Sequence, residues 1–211
     1  IEKLSNYNSK IFVQGFDRPN LSLAVEQKEN WKNQILIFLE NKNNDSGIIY
    51  CLSRKQTEDI AEFLKQNNFD AIPYHAGQEA HIRKNNQNKF MNENGIIIVA
   101  TIAFGMGIDK SNVRFVAHIS LPSSIEAYYQ EIGRAGRDGN PAETLLLYGL
   151  NDLFQRRRFI ENEGKDFNHK LRENKRLDSL LAYCETPICR KKALLSYFDE
   201  NINECNNCDN C

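Results

Sequence analysis

Nowhere in its 211 residues does the chain carry the glycine-lysine loop that grips nucleotide phosphates. A protein that holds a nucleoside triphosphate by itself through such a loop is thereby excluded. No apolar run approaches the roughly 18 residues of a membrane span, and the first residues lack the order of a secretory signal. The chain is therefore expected to be cytoplasmic, nucleoid-associated if bacterial, with no membrane partner. An excess of one charge is also missing: 27 Lys and Arg stand against 28 Asp and Glu, and the net −1 excludes a generally basic nucleic-acid coat. Binding to a polyanion must then come from local patches. Internal repeats and low-complexity tracts are absent, and before residue 184 cysteine occurs once, at Cys51.

What is present is an ordinary globular composition, 41% hydrophobic and 26% charged. The length allows one full core plus a smaller appendage. A start at Ile1 without Met and a stop on Cys211 suggest a piece of a longer protein.

From Gly47 to Leu150, apolar β-type runs alternate with amphipathic stretches. GIIYC (47–51), FDAIPY (69–74), IIIVAT (96–101), RFVAHI (114–119) and ETLLLY (143–148) are the runs; RKQTEDIAEFLKQN, a polar stretch ending near Phe90, and SSIEAYYQEIGR lie between them. Continuous apolar strands spaced by helices predict a doubly wound α/β architecture with a parallel sheet. Its ligands are expected beyond the carboxyl ends of the strands. Residues 1–25 read as a linker and first strand, followed by a helix around Trp31 to Leu39. Beyond Leu150 the texture becomes that of charged helices, so a boundary is placed near residue 151, with 151–211 a small helical domain.

Cysteine spacing is the most specific signal. Cys205, Cys208 and Cys211 form C-x2-C-x2-C, and a fourth thiolate is available at Cys184 or Cys189, between which spacing does not choose. Four sulfurs satisfy a structural Zn²⁺, which would supply folding energy to a segment too small for its own core. An iron–sulfur cluster is the rival reading, and five thiols within 28 residues argue against free cysteines.

Other motifs are weaker taken singly. ATIAFGMGIDK (100–110) offers Thr101, Gly107 and Asp109 in a turn that lets backbone approach a ligand. QEIGRAGRDG (130–139) sets Arg134 and Arg137 three apart at the end of a helix; guanidinium forks suit phosphate oxygens, although a solvated helix terminus is the competing reading. Ser53 and Arg54 open a helix after GIIYC, where Ser53 is also a simple N-cap. His75, in YHAG, equally fits a structural role.

Taken together and in order, GFDRPNLS, GIIYCLSRKQTEDIA, YHAG, IIVATIAFGMGIDKSNVRFVAHISLP, SIEAYYQEIGRAGRDG and CRKKALLSYF…CNNCDNC resemble the RecQ family of ATP-dependent DNA helicases, in superfamily 2. The resemblance implies a second RecA-like motor domain plus a zinc-binding domain, working with an N-terminal RecA-like domain that supplies the ATP and Mg²⁺ site and is absent here. On that reading Arg137 is the arginine finger. Arg134 contacts the phosphates or organises the cleft, which Gln130 lines, and Gly107 with Asp109 couple nucleotide state to closure. Ser53, Arg54, His75 and Thr101 face single-stranded DNA backbone, and unwinding of duplex DNA runs 3′ to 5′.

The pattern also selects Cys189, which precedes Arg190, Lys191 and LLSYF, as first zinc ligand with Cys205, Cys208 and Cys211. Residues 151–192 carry 11 Lys or Arg against 7 Asp or Glu, with Arg156, Arg157, Arg158, Lys191 and Lys192 as candidate phosphate contacts. Gln78 departs from the family's usual Leu, and SYFDE from YFGE. The fragment alone is expected to be inactive. The alternative is a zinc-stabilised nucleic-acid-binding or interaction module of a parent without ATPase activity.

Overall fold

The computed structural model describes residues 15–105 and 108–211. Six strands, β1 (Leu21–Gln27), β2 (Ser46–Tyr50), β3 (Asp70–Tyr74), β4 (Ile96–Ala100), β5 (Val113–His118) and β6 (Ala142–Tyr148), form one parallel sheet in the order β1-β6-β5-β2-β4-β3. Parallel neighbours require crossovers, and α1 (Trp31–Phe38), α2 (Arg54–Gln66), α3 (Ala80–Asn92) and α4 (Ile125–Ile132) supply them.

Alternation along each strand divides the core. Ile49, Val99 and Ala117 meet Ile35 of α1 and Ile60 and Leu64 of α2 on one face. Ile48, Ile98 and Val116 meet Phe90 of α3 and Tyr128 and Ile132 of α4 on the other. Both faces are covered, which is why β2 and β4 are buried at every position.

Local chemistry explains the helix starts. Ser53 accepts from Gln56 N while the Gln56 side chain accepts from Ser53 N, a reciprocal capping box that fixes the first turn of α2. Ser124 Oγ accepts from Ala127 N at the start of α4.

Past β6 come α5 (Leu150–Asn162), α6 (Phe167–Glu185) and α7 (Arg190–Ser196). Leu180, Tyr183 and Cys184 of α6 and Leu194 of α7 enter the same core as Ile48 and Tyr128. The segment beyond residue 151 is thus packed onto the sheet rather than set apart from it. β1 is an edge strand, and Cys208 and Asp209 lie along it: Leu23 bridges to Cys208, Asp209 N donates to Leu23 O at 3.0 Å, and Val25 N donates to Asp209 Oδ2 at 3.0 Å. The cysteine-rich tail covers the edge that would otherwise expose unpaired backbone groups.

Candidate nucleotide cleft, DNA edge and metal centre

α4 stops at Ile132, so Arg134 and Arg137 lie in the turns after the helix and not within its last turn. Gly133 is the C-cap, and Gly136, at φ +58°, turns the chain through the left-handed region that glycine tolerates. Gly136 N donates to Val113 O at 2.9 Å. The backbone of the arginine turn therefore sits by the amino end of β5, while the Arg134 side chain reaches back to the loop that follows the carboxyl end of β4. The reason is direction: α4 returns antiparallel to the strands, and its C-terminus lands at the opposite edge.

Ser123, Ala127, Gln130 and Arg134 face Ile102–Gly105 across a groove of about 450 Å³. Arg134 Nε is buried there without a partner among the described residues. Burial pushes the Tyr50 phenol at the back of the groove well above its ordinary range, against the opposing pull of Arg134. Arg137 Nη1 donates to Asp109 Oδ1 at 2.7 Å and to Ile108 O at 3.0 Å. Asp109 is 85% exposed, so this pair can exchange for another anion at little cost. Gly107 lies outside the described residues. Glu131, which carries no local signature in the sequence, is a buried neighbour of the groove whose Oε2 lies 2.7 Å from His118 Nε2.

The DNA candidates gather by topology. Ser53 and Arg54 follow β2, Thr101 follows β4 and His75 follows β3, three neighbouring strands, so all four share one carboxyl edge. Ser53 and Arg54 are exposed. Arg54 lies over Gly77, where an added Cβ would come within 2.9 Å of Arg54 Cδ. Ala103 N reaches Thr101 Oγ1 at 3.4 Å. His75 is buried, its Nε2 3.1 Å from Glu58 Oε1. Gln78, the departure from the family pattern, ties the His75 loop down: its Oε1 accepts from His75 N and its Nε2 donates to Pro73 O.

Two of the basic candidates are occupied within the molecule. Lys191 is buried, its Nζ donating to Arg18 O at 3.0 Å, and Arg156 Nε donates to Leu121 O at 2.7 Å. Helix packing turned both positions inward, Lys191 fully and Arg156 to a half-buried place. Arg157 pairs with Asp178 at 2.9 Å, while Arg158 and Lys192 are exposed.

Cys189, Cys205, Cys208 and Cys211 hold their sulfurs within 4.8 Å of one another. Cys208 Sγ is 4.0 Å from Cys189 Sγ and 3.4 Å from Cys211 Sγ, and Cys205 Sγ is 3.9 Å from Cys211 Sγ. A tetrahedral site with Zn–S near 2.3 Å places its sulfurs about 3.8 Å apart. The four residues therefore fit a closed structural Zn²⁺ site, and backbone N–H groups of Arg190, Lys192, Cys205 and Asn207 point at the sulfurs, as thiolates require. Cys184 stands outside the cluster, its thiol pushed up to about 12 by burial. Arg190 locks the arrangement: its Nη1 donates to the carbonyls of Tyr183, Cys184 and Thr186, and its Nε to Asp209.

Residues 27–139 match the helicase conserved C-terminal domain family, and residues 150–211 match the RecQ zinc-binding family. The chain belongs to the RecQ helicase family. It is 43% identical to the ATP-dependent DNA helicase RecQ of Haemophilus influenzae, over the whole chain and 34% of that protein. Against the ATP-dependent DNA helicase RecQ of Bacillus subtilis it is 41% identical over 93% of the chain and 33% of the relative. The RecQ-like DNA helicase BLM of Xenopus laevis is 43% identical over the whole chain, which spans 16% of it. The chain thus spans about a third of the length of the bacterial relatives it matches. Among solved structures, a DEAD box protein from the hyperthermophile Methanococcus jannaschii shares the RecA-like fold, with TM-score 0.54 and 27% identity over 67% of this chain and 39% of that one. Among the described residues, no helix is long and apolar enough to cross a membrane.

Proposed function

We propose that this RecQ chain is the second motor half, residues 1–150, and the zinc-binding domain, residues 151–211, of an ATP-dependent DNA helicase. In this reading ATP and Mg²⁺ are held by a preceding RecA-like half, and Arg137 reaches across the cleft as the arginine finger. The observation that carries it is the pair of guanidiniums after α4: Arg134 with a buried Nε that has no partner among the described residues, in an open groove, and Arg137 resting on the exposed Asp109. Two permanent cations so placed suit a phosphoryl group delivered from outside the chain. When the γ-phosphate arrives, Arg137 exchanges Asp109 for phosphate oxygens, and Asp109 is released to report nucleotide state to its loop.

Ser53, Arg54 and Thr101 then hold the backbone of one DNA strand along the carboxyl edge without reading bases. His75 acts there by positioning the loop, because its ring is buried against Glu58. Arg158 and Lys192 extend the phosphate track onto the zinc-binding segment. Four thiolates around Zn²⁺ supply structure and no chemistry of their own. By family resemblance the motor moves 3′ to 5′, in the cytoplasm, and the chain without its N-terminal half is inactive.

The test is DNA-stimulated ATP hydrolysis by the full-length protein, wild type against Arg137→Ala, with nucleotide binding measured alongside. Turnover should fall by about 10³ to 10⁵ while nucleotide still binds. An Arg137→Ala protein that matches an active wild type removes the finger assignment. A full-length protein with no ATPase activity points instead to a zinc-stabilised binding module.

A further inference from the structure

The turn that carries Arg134 and Arg137 is held from outside α4. Arg18, in the segment leading into β1, donates through Nη2 to Ala135 O and Gly136 O, each at 2.9 Å, and through Nη1 to Gly133 O at 3.4 Å. Asn20 Nδ2 adds bonds to Gly136 O and Asn140 O, each at 2.8 Å. These carbonyls lie at and beyond a helix C-terminus, where several carbonyls lack helical partners and carry partial negative charge. A planar guanidinium fork reaches the three from two nitrogens, whereas an ammonium would have to reach them from a single point.

Arg18 is itself held by the zinc-binding segment. Lys191 Nζ donates to Arg18 O at 3.0 Å and lies 3.7 Å from Asp17 Oδ1. Lys191 is two residues past Cys189, and the following amide, Lys192 N, points at the Cys189 sulfur. A continuous series of contacts therefore runs from the cysteine cluster through α7 to residues 17 and 18 and on to the arginine turn.

We propose that Arg18 is a positioning residue for Arg134 and Arg137, and that Lys191 connects its placement to the zinc site. This rests on the reading of Arg137 as the finger. Arg18 touches no reacting atom; it fixes the backbone from which the two guanidiniums extend. A displacement of about 1 Å in such a group costs about 10²-fold in rate.

The test uses the zinc-loaded full-length helicase and single-turnover ATP hydrolysis on DNA, with nucleotide affinity, zinc content and thermal midpoint as companions. Arg18→Ala should lower the rate about 10²-fold with nucleotide affinity and zinc content unchanged. Arg18→Lys, which keeps the charge and loses the fork, should lower it in the same direction with the thermal midpoint preserved. Lys191→Met should give a smaller loss of rate.

In an Arg137→Ala background the Arg18 substitutions should lose most of their effect and keep only the part that acts through Arg134. Wild-type rates in the Arg18 variants, or an unchanged Arg18 effect without Arg137, overturn the proposal while leaving the finger standing. A wild-type rate in Arg137→Ala alone removes the finger, and the proposal with it.

Discussion

Asp209 is where the metal centre, the sheet edge and the buried Arg190 meet, so its removal should be felt by all three. One carboxylate accepts from Val25 N at 3.0 Å and from Arg190 Nε at 3.0 and 3.2 Å. The Arg190 side chain is 8% exposed and that of Asp209 27%. Breaking a buried pair from one side costs about 3–5 kcal/mol, because the remaining charge stays desolvated. Orphaning a buried amide costs about 1–3 kcal/mol more.

Arg190 keeps the carbonyls of Tyr183, Cys184 and Thr186. That residual coordination keeps the pair contribution at its low end, about 3 kcal/mol, so with the orphaned Val25 amide Asp209→Ala should cost about 4 kcal/mol. For a chain of this size that lowers the thermal midpoint by about 8–16 °C. Asp209→Asn retains an acceptor and should lose about a third as much. Thermal unfolding with zinc content verified at one ion per chain measures both. If Asp209→Ala, with zinc retained, melts within about 2 °C of wild type, the carboxylate does not join the knuckle to the sheet and the reasoning is wrong.

Gly136→Ala should destabilise by about 2 kcal/mol, from left-handed backbone strain and crowding, since its Cβ would overlap Asn20 Nδ2 and approach Asn140 O at 2.9 Å; urea unfolding reads this, and an unchanged midpoint contradicts it. Acid stability offers a separate check. The Arg114 guanidinium beside Asp138 holds that carboxyl at about 2, below its ordinary 3.8. A depressed folded pKa contributes stability that is present above the ordinary value and fades as pH falls through about 2. Arg114→Gln should therefore lessen the dependence of stability on pH between about 4 and 2, and an acid-unfolding profile unchanged by the substitution would contradict the pairing.

The strands were legible because a parallel sheet covered on both faces needs unbroken apolar runs, and GIIYC and IIIVAT can be little else. Observed strands fall within a residue or so of those runs, with Cys51 and Thr101 just past the ends of β2 and β4. Three of the four zinc-type ligands were legible for a different reason, their C-x2-C-x2-C spacing, while the fourth, Cys189 over Cys184, was chosen only by resemblance to the RecQ pattern. The gathering of Cys189 with Cys205, Cys208 and Cys211, and the exclusion of Cys184, agree with it.

Which cations are available was not legible. Lys191 and Arg156 read as exposed phosphate contacts because neighbouring charges on a helix look alike until its packing face is known; α7 turns Lys191 onto Arg18 O, and α5 turns Arg156 toward Leu121 O. The role of Arg18 was equally hidden, since its partners lie 115 to 118 residues away and an arginine before a proline has no local signature.

By itself, then, the sequence determined the parallel α/β sheet and the three sulfurs of C-x2-C-x2-C, because each depends on residue type and short spacing; the fourth sulfur and the two arginines stood out only through the order of motifs along the whole chain. Tertiary structure alone decided that the arginine turn lies by the amino end of β5, that the knuckle covers β1, and which basic side chains are committed within the fold. Those outcomes depend on the direction in which α4 returns and on which helix faces meet the core, and neither is encoded in any contiguous stretch of residues.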